Sequence, residues 1–408
     1  MTQIAATGWP GVEHTPHAPL KARAARALLK PTVNRLPVQV RFAGGGTWGA
    51  GDDSSARMDV LRPKALFHRL GADSKIGLGE AYMAGDWTVG ENTDLAQLLT
   101  PFAERMATLV PVPLQRFRVF VDQQLPHQQR NSVEGSRRNI EAHYDLSNDL
   151  FAQFLDPSMS YSAAWFDGDE DLESAQMRKI DGILDQAGVT AGTRVLEIGS
   201  GWGALAIRAA QRGAQVTTIT ISTEQATLAE KRFAEAGVDV DLQLIDYRDI
   251  TGEYDAIVSV EMIEAVGEEY WPTYFAAIDR LLAPGGKVSI QAITMAHHRY
   301  LKTRNSYGWI QKYIFPGGLI PSLEAIDENL AEHTSLAVTD RRSLGQDYAR
   351  TLHEWRSAFT RNWEHIQEQG FDETFRRMWE FYLAYCEAGF AVGYLDVFQL
   401  QLTRPKEA

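Results

Sequence analysis

Between residues 177 and 293 the apolar positions switch back and forth between two spacings. Met177–Gly188, MRKIDGILDQAG, repeats its apolar residues every three to four positions, as one face of a helix does. Thr193–Ile198, TRVLEI, is a short apolar run of strand length. A helix from Trp202 follows, then a strand Gln215–Ile221 (QVTTITI) and a helix Thr223–Gly237 (TEQATLAEKRFAEAG). Two further strands, Val240–Ile245 (VDLQLI) and Tyr254–Val260 (YDAIVSV), precede a helix Tyr274–Ala283 (YFAAIDRLLA) and a strand Gly286–Ile293 (GKVSIQAI). Strands that alternate with helices are joined by crossovers and pair in parallel. The pattern therefore predicts an α/β fold, a doubly wound and mainly parallel sheet with ligands at the carboxyl ends of its strands.

The front of the chain reads differently. FAGGGTWGAGDDSS, Phe42–Ser55, is a glycine-rich turn region between strands, and the polar stretch Asp122–Asn139 holds too few apolar residues to fill a core. A boundary is expected near residue 135, with a smaller front domain over 1–135 and the α/β domain over 136–408. The net charge of -13 is unevenly spread: residues 1–140 hold 17 Lys and Arg against 12 Asp and Glu, and the remainder 23 against 41. In PLKARAARALLK, Leu20, Ala24, Ala27 and Leu28 line one helical face with Lys21, Arg23, Arg26 and Lys30 around it. That pattern suits either an anionic bilayer surface or a solvated helix. Basic motifs interleaved with aromatics are missing and most of the chain is acidic, so nucleic acid is not an expected partner. A single cysteine, Cys386, and no HExxH spacing argue against disulfide and zinc chemistry. No apolar run reaches membrane-spanning length and the first residues lack signal-peptide order, which sets a cytoplasmic expectation.

Three glycines, Gly199, Gly201 and Gly203, interrupt VLEIGSGWGALAIRAA between a strand and a helix. Without Cβ atoms, they let polar groups of a ligand approach the backbone amides of the turn. The spacing is G-x-G-x-G, not the G-x-G-x-x-G of dinucleotide folds, and no Lys-Ser/Thr pair follows to serve phosphates. S-adenosylmethionine, which has no phosphate, fits better, with Glu197 near its amino group. A tight turn without any ligand would explain the glycines on their own.

The neighbouring motifs carry a resemblance. GLGEAYMAGDW, HYDLSNDLF, MSYSAAWF, VLEIGSGWG, TITISTEQ, DYRD, VSVEMIEAVG, KYIFPGG and GYLDVFQLQLTR occur in order, and with them the chain resembles the cyclopropane fatty acid synthase family of S-adenosylmethionine-dependent methyltransferases. The resemblance implies the Rossmann-like class I methyltransferase fold, an α+β front domain associated with lipid, and action on the cis double bond of phospholipid acyl chains. It places the cofactor on Tyr161, Ser162, Val195, Leu196, Glu197, Ile198, Gly199, Ser200, Gly201, Trp202 and Gly203. Thr220, Ile221, Ser222, Thr223, Glu224, Gln225, Asp246, Tyr247 and Arg248 complete that set. Thr220, Ser222 and Gln225 can hydrogen-bond a ribose and Tyr247 offers a ring to adenine, while ISTEQ also reads as a helix N-terminus capped by Ser222 or Thr223.

Methylating a double bond leaves a carbocation on the neighbouring carbon, and aromatic faces stabilise such a charge; Phe166, Tyr307, Trp309, Tyr313 and Phe315 are the candidates. A proton must then leave the new methyl group. The resemblance assigns that step to bicarbonate held by a glutamate, a tyrosine, an isoleucine, a histidine and a cysteine. Glu264, Tyr348 and Ile293 match, whereas Gln291 stands at the histidine position and Ala163 at the cysteine position. Glutamine donates an N–H but cannot shuttle a proton, and His297 and His298 are possible substitutes. QAITMAHHR, with EMIEAVG and WIQKYIFPGG, is similar to an actinobacterial branch that makes methylene-branched chains, later reduced by a separate flavoprotein to tuberculostearic-type methyl branches. A cyclopropane product is the alternative. A small-molecule N-methyltransferase and a non-catalytic lipid-binding protein are more distant ones. The expected partners are a cis-unsaturated phospholipid, an anionic membrane on the inner face of the cell, the reductase, and a second copy in a homodimer.

Overall fold

The computed structural model describes Trp9, residues 11–105 and residues 147–405. The boundary expected near residue 135 lies outside the described residues, as does the polar stretch Asp122–Asn139. The described residues gather into two compact units. The first takes its residues from Met1–Gln124, Ser306–Ile314 and Trp355–Tyr394, so two segments distant in sequence join the front of the chain.

That first unit holds a four-stranded sheet in the order β2-β1-β3-β4, with β1 at Gln39–Phe42, β2 at Thr47–Trp48, β3 at Arg57–Val60 and β4 at Trp87–Val89. The glycine-rich run turns the chain from β1 into an antiparallel β2. The helix Glu373–Ala391 packs on the helices Gly77–Met83 and Leu95–Glu104. Arg356 binds Asp94 at 2.8 Å and Glu387 at 2.9 Å, and Glu80 accepts from Lys312 Nζ at 2.6 Å and Tyr313 Oη at 2.8 Å. The helix Pro19–Val33 buries only Ala22 and Val33, and leaves Leu20 77% and Leu28 45% exposed.

The second unit is the α/β domain that the apolar pattern predicts. Its strands are β5 (Arg194–Ile198), β6 (Gln215–Thr220), β7 (Val240–Leu244), β8 (Tyr254–Val260), β9 (Leu282–Met295), β10 (Ala337–Ser343) and β11 (Leu395–Thr403). The order is β10-β11-β9-β8-β5-β6-β7; pairings from β9 to β7 are parallel, and β11 lies antiparallel to both β9 and β10. Both faces of the central strands are covered, which is why β5 and β8 carry near-continuous apolar runs. Val195, Val216 and Val258 face the helices Leu172–Gln186, Ala204–Gln211 and Thr223–Ala236 through Ile183, Leu205 and Phe233. Leu196, Ile219 and Ile257 face the helices Trp271–Leu281 and Leu323–His333 through Phe275 and Ile326. Strand order reverses at β5, with β6 on one side and β8 on the other, and a crevice opens at that point. Among the described residues no helix is long and apolar enough to cross a membrane.

Candidate active site

The crevice begins at the turn from β5 into the helix Ala204–Gln211. Gly201 has φ +48, and a Cβ built there meets nothing within 4 Å, so the residue faces open space. Gly203 has a packing reason instead: its Cβ would lie 2.6 Å from Phe233 Cε1. A pocket runs over this turn, walled by Tyr161, Ser162, Glu197, Ile198, Gly199, Ser200, Gly201 and Trp202, and continues along Thr220, Ile221, Gln225, Asp246, Tyr247 and Arg248. The remaining expected cofactor residues stand outside it. Val195 and Leu196 are buried in the strand core, Thr223 and Glu224 are exposed, and Ser222 caps the helix Thr223–Ala236 by accepting the Gln225 N–H at 3.3 Å.

Local bonds give the walls their shape. Trp202 donates its indole N–H to Asn148 at 2.7 Å and packs on Phe151 with ring centroids 5.0 Å apart, which ties the short helix Asn148–Phe151 to the glycine turn. Thr220 donates to Gln225 Oε1 at 3.0 Å. Arg248 is bound to Asp246 at 2.7 Å and lies 5.2 Å from the centre of the Tyr247 ring. Tyr247 is 8% exposed, and burial pushes its phenol up to about 12, so it serves as an uncharged aromatic face.

Lys179, Glu197 and Glu261 line the same pocket, and with Glu264 they form a group of buried titratable side chains. Glu197 accepts from Thr218 Oγ1 at 2.6 Å, and burial pushes its carboxyl up to about 8. Lys179, from the helix Leu172–Gln186, donates to Ser162 Oγ at 2.6 Å and is pushed down to about 8 by burial. Two carboxylates follow β8. Glu264 accepts the Ile293 N–H at 2.5 Å through one oxygen, while the other is buried without a hydrogen-bond partner. Burial, then the charge of Glu261, raises its carboxyl to about 8. Glu261 accepts at one oxygen from the Ala163 N–H and from Gln291 Nε2, both at 2.9 Å, and at the other from Tyr348 Oη at 2.9 Å.

The family model for mycolic acid cyclopropane synthetase matches residues 131–400. The chain belongs to the mycolic acid cyclopropane synthetase family. It is accordingly an S-adenosylmethionine-dependent methyltransferase. It is 49% identical over 409 residues to the tuberculostearic acid methyltransferase UfaA1 of Mycobacterium tuberculosis, covering 97% of this chain and 95% of that one. It is 34% identical over 375 residues to the cyclopropane-fatty-acyl-phospholipid synthase of Escherichia coli, covering 88% and 91%. The crystal structure of the mycolic acid cyclopropane synthase CmaA1 complexed with SAH and CTAB aligns with a TM-score of 0.60 and 31% identity, over 69% of this chain and 99% of that one.

Within the family frame, the pocket fits S-adenosylmethionine: glycine backbone opens into it, Glu197 lies in its wall and Tyr247 supplies a ring. Bicarbonate does not fit. The Ala163 N–H, the Gln291 amide and the Tyr348 hydroxyl, three of the groups expected to hold that anion, already hold the Glu261 carboxylate. Ile293 meets Glu264 through its backbone. His297 pairs with Ser322 Oγ at 2.8 Å and His298 is exposed, so neither joins the cluster. Tyr313, Tyr307 and Trp309 belong to the first unit, where the Tyr313 hydroxyl is committed to Glu80. The Phe166 ring is covered by Arg350 at 3.9 Å.

Sequence reasoning missed Glu261, Lys179 and Gln399. Glu261 carries a readable signal, since it is the first residue after a parallel strand, where sites in such sheets form. Lys179 looks like one more polar position of an amphipathic helix. Gln399 lies opposite Gln291 in the β9–β11 pairing and donates to its Oε1 at 3.2 Å, a contact no local pattern reveals.

Proposed function

We propose that the protein methylates the cis double bond of phospholipid acyl chains and that its product carries a mid-chain methylene group. The observation that carries this reading is the 49% identity to a tuberculostearic acid methyltransferase, because that match extends over 97% of the chain and so includes the first unit. S-adenosylmethionine, when bound, supplies the methyl group as an electrophile. Gly201 keeps the turn open to it, Tyr247 offers an aromatic face and Glu197 a partner for its amino group. A new carbon–carbon bond at one alkene carbon leaves a cation on the other, and the apolar wall of Ile198, Val260, Met262 and Val266 keeps water from that cation. A hydride shift followed by loss of a methyl proton gives the exocyclic methylene; proton loss without the shift closes a cyclopropane.

The first unit serves the lipid. Leu20 and Leu28 are exposed on the helix Pro19–Val33 beside Lys21, Arg23, Arg26 and Lys30, a combination suited to an anionic bilayer on the inner face of the membrane. Each basic residue near such a surface contributes about 1 kcal/mol. Replacing the four with glutamine is expected to weaken sedimentation with anionic vesicles and leave cofactor affinity unchanged. The exocyclic double bond of the product calls for a separate flavin-dependent reductase. Analytical ultracentrifugation reports whether the acting form is a homodimer.

The deciding experiment incubates the protein with S-adenosylmethionine and vesicles of cis-unsaturated phosphatidylglycerol and reads the extracted acyl chains by proton NMR. Exocyclic methylene signals are expected. Upfield cyclopropane signals would assign the second reading, which the 34% identity to a cyclopropane-fatty-acyl-phospholipid synthase favours. Unmodified lipid with methyl transfer to soluble amines would remove both.

A further inference from the structure

Glu261 is held in a way that a wall residue does not need. Part of its surface remains open to the pocket, while three donors from three separate segments converge on its carboxylate. The donors are themselves oriented. Gln399 donates to Gln291 Oε1, which turns the Gln291 N–H groups toward Glu261 and the Ala163 carbonyl. The backbone at Glu261 has φ +51, in the left-handed region that glycine adopts freely and a glutamate does not. A strained backbone that aims a pocket-facing carboxylate is a mark of a functional group.

Resting on the reading of the protein as a lipid C-methyltransferase, we propose that Glu261 is the base that removes the proton from the newly added methyl group, so that the chain itself supplies the anion and the reaction needs no bicarbonate. In that step a methyl C–H bond breaks and its electron pair fills the cationic carbon, as a π bond after the hydride shift. The proton passes to a Glu261 oxygen and goes on to water once the product has left. Glu264 is the weaker candidate for this work. It has one donor where Glu261 has three, and the Glu261 charge beside it favours its protonated form. Burial raises the Glu261 carboxyl above the ordinary glutamate value, while the Ala163 N–H, the Gln291 amide, the Lys179 ammonium and the Tyr348 hydroxyl favour its ionised form.

The test has two parts. Binding of ¹³C-labelled bicarbonate is followed by NMR, and methylation of cis-unsaturated phosphatidylglycerol vesicles is followed in buffer freed of carbon dioxide. Wild type is expected to show no bicarbonate binding and undiminished turnover in the depleted buffer. Glu261→Gln, nearly isosteric, is expected to bind S-adenosylmethionine normally and lose at least about 100-fold in turnover, the low end of a general-base contribution. Glu261→Gly relieves the backbone strain and empties the cradle. It is expected to bind labelled bicarbonate and to regain turnover as bicarbonate or formate is added, a rescue that loss of a mere strut would not permit. The proposal is overturned if wild type binds bicarbonate or depends on it, or if Glu261→Gln keeps turnover within about threefold of wild type. A wild type that methylates no lipid in any buffer overturns the functional reading instead, and bicarbonate binding by the two variants still reports on the cradle.

Discussion

The glycine turn after β5 and the carboxylate cradle after β8 end neighbouring strands of one sheet, yet they are made in opposite ways. The turn works by leaving side chains out at three of five consecutive residues, Gly199, Gly201 and Gly203, so its opening is set locally. The cradle works by bringing side chains and backbone groups together from Ala163, Glu261, Gln291, Tyr348 and, behind them, Gln399. A turn of that kind tolerates change elsewhere in the chain and fails when its own residues gain bulk. A cradle loses function stepwise as its members are removed.

The largest effect is expected at the turn. Gly201→Val places a branched side chain in the open space over the backbone, at a φ that such a residue rarely adopts. Affinity for S-adenosylmethionine should fall at least about 100-fold, or about 2.7 kcal/mol. Calorimetry on the folded variant measures it, and unchanged affinity would place the cofactor elsewhere.

Gln291→Ala sharpens the other side of the comparison. It removes one of three donors to Glu261, a loss worth about 1.5–3 kcal/mol for a hydrogen bond to a charged group. Turnover should fall about tenfold with cofactor affinity unchanged; an equal fall in both would mean that turn and cradle are one unit.

Glu264→Gln separates the two carboxylates by pH. Burial and the neighbouring Glu261 raise the Glu264 carboxyl from 4.5 to about 8 in the folded protein. Over that window the folded state holds a proton that the unfolded state has released, so stability is full below about 4.5 and declines as pH rises toward 8. Glutamine carries no such proton, and thermal melts of the variant should decline less between those pH values than those of wild type. Parallel curves would show that Glu264 titrates normally.

The smallest effect belongs to Ser222→Ala. Losing the cap of the helix Thr223–Ala236 should cost about 1 kcal/mol in denaturant unfolding. Cofactor affinity should change less than about twofold, since Ser222 does not wall the pocket. A larger change would make it a binding residue as well as a cap.

The legibility of the chain follows the same division. β5 to β9 and the helices between them were readable because a strand in the sheet's centre is apolar over a short run, an edge strand such as β7 alternates and a covering helix is apolar on one side, all properties of neighbours in sequence. β10 and β11 were not read as strands. β10 lies at the sheet edge with mostly exposed side chains, and β11 buries Gln399 among its apolar positions. The segments Ser306–Ile314 and Trp355–Tyr394 fell in the C-terminal domain by sequence order, yet contacts such as Glu80 with Lys312 and Tyr313 assign them to the first unit.

By itself, then, the sequence determined the alternation of strands and helices, the glycine turn that admits a cofactor and the motifs that mark the family. All of these depend on residues within a few positions of one another. Only the tertiary structure decided that Glu261 is the carboxylate the cradle holds and that Gln291 points its N–H groups toward it. It also decided that the Ala163 N–H, the Gln291 amide and the Tyr348 hydroxyl are engaged by that carboxylate. Those properties depend on hydrogen bonds between residues 30 to 128 positions apart, and such bonds form only once the folded sheet has brought its strand ends together.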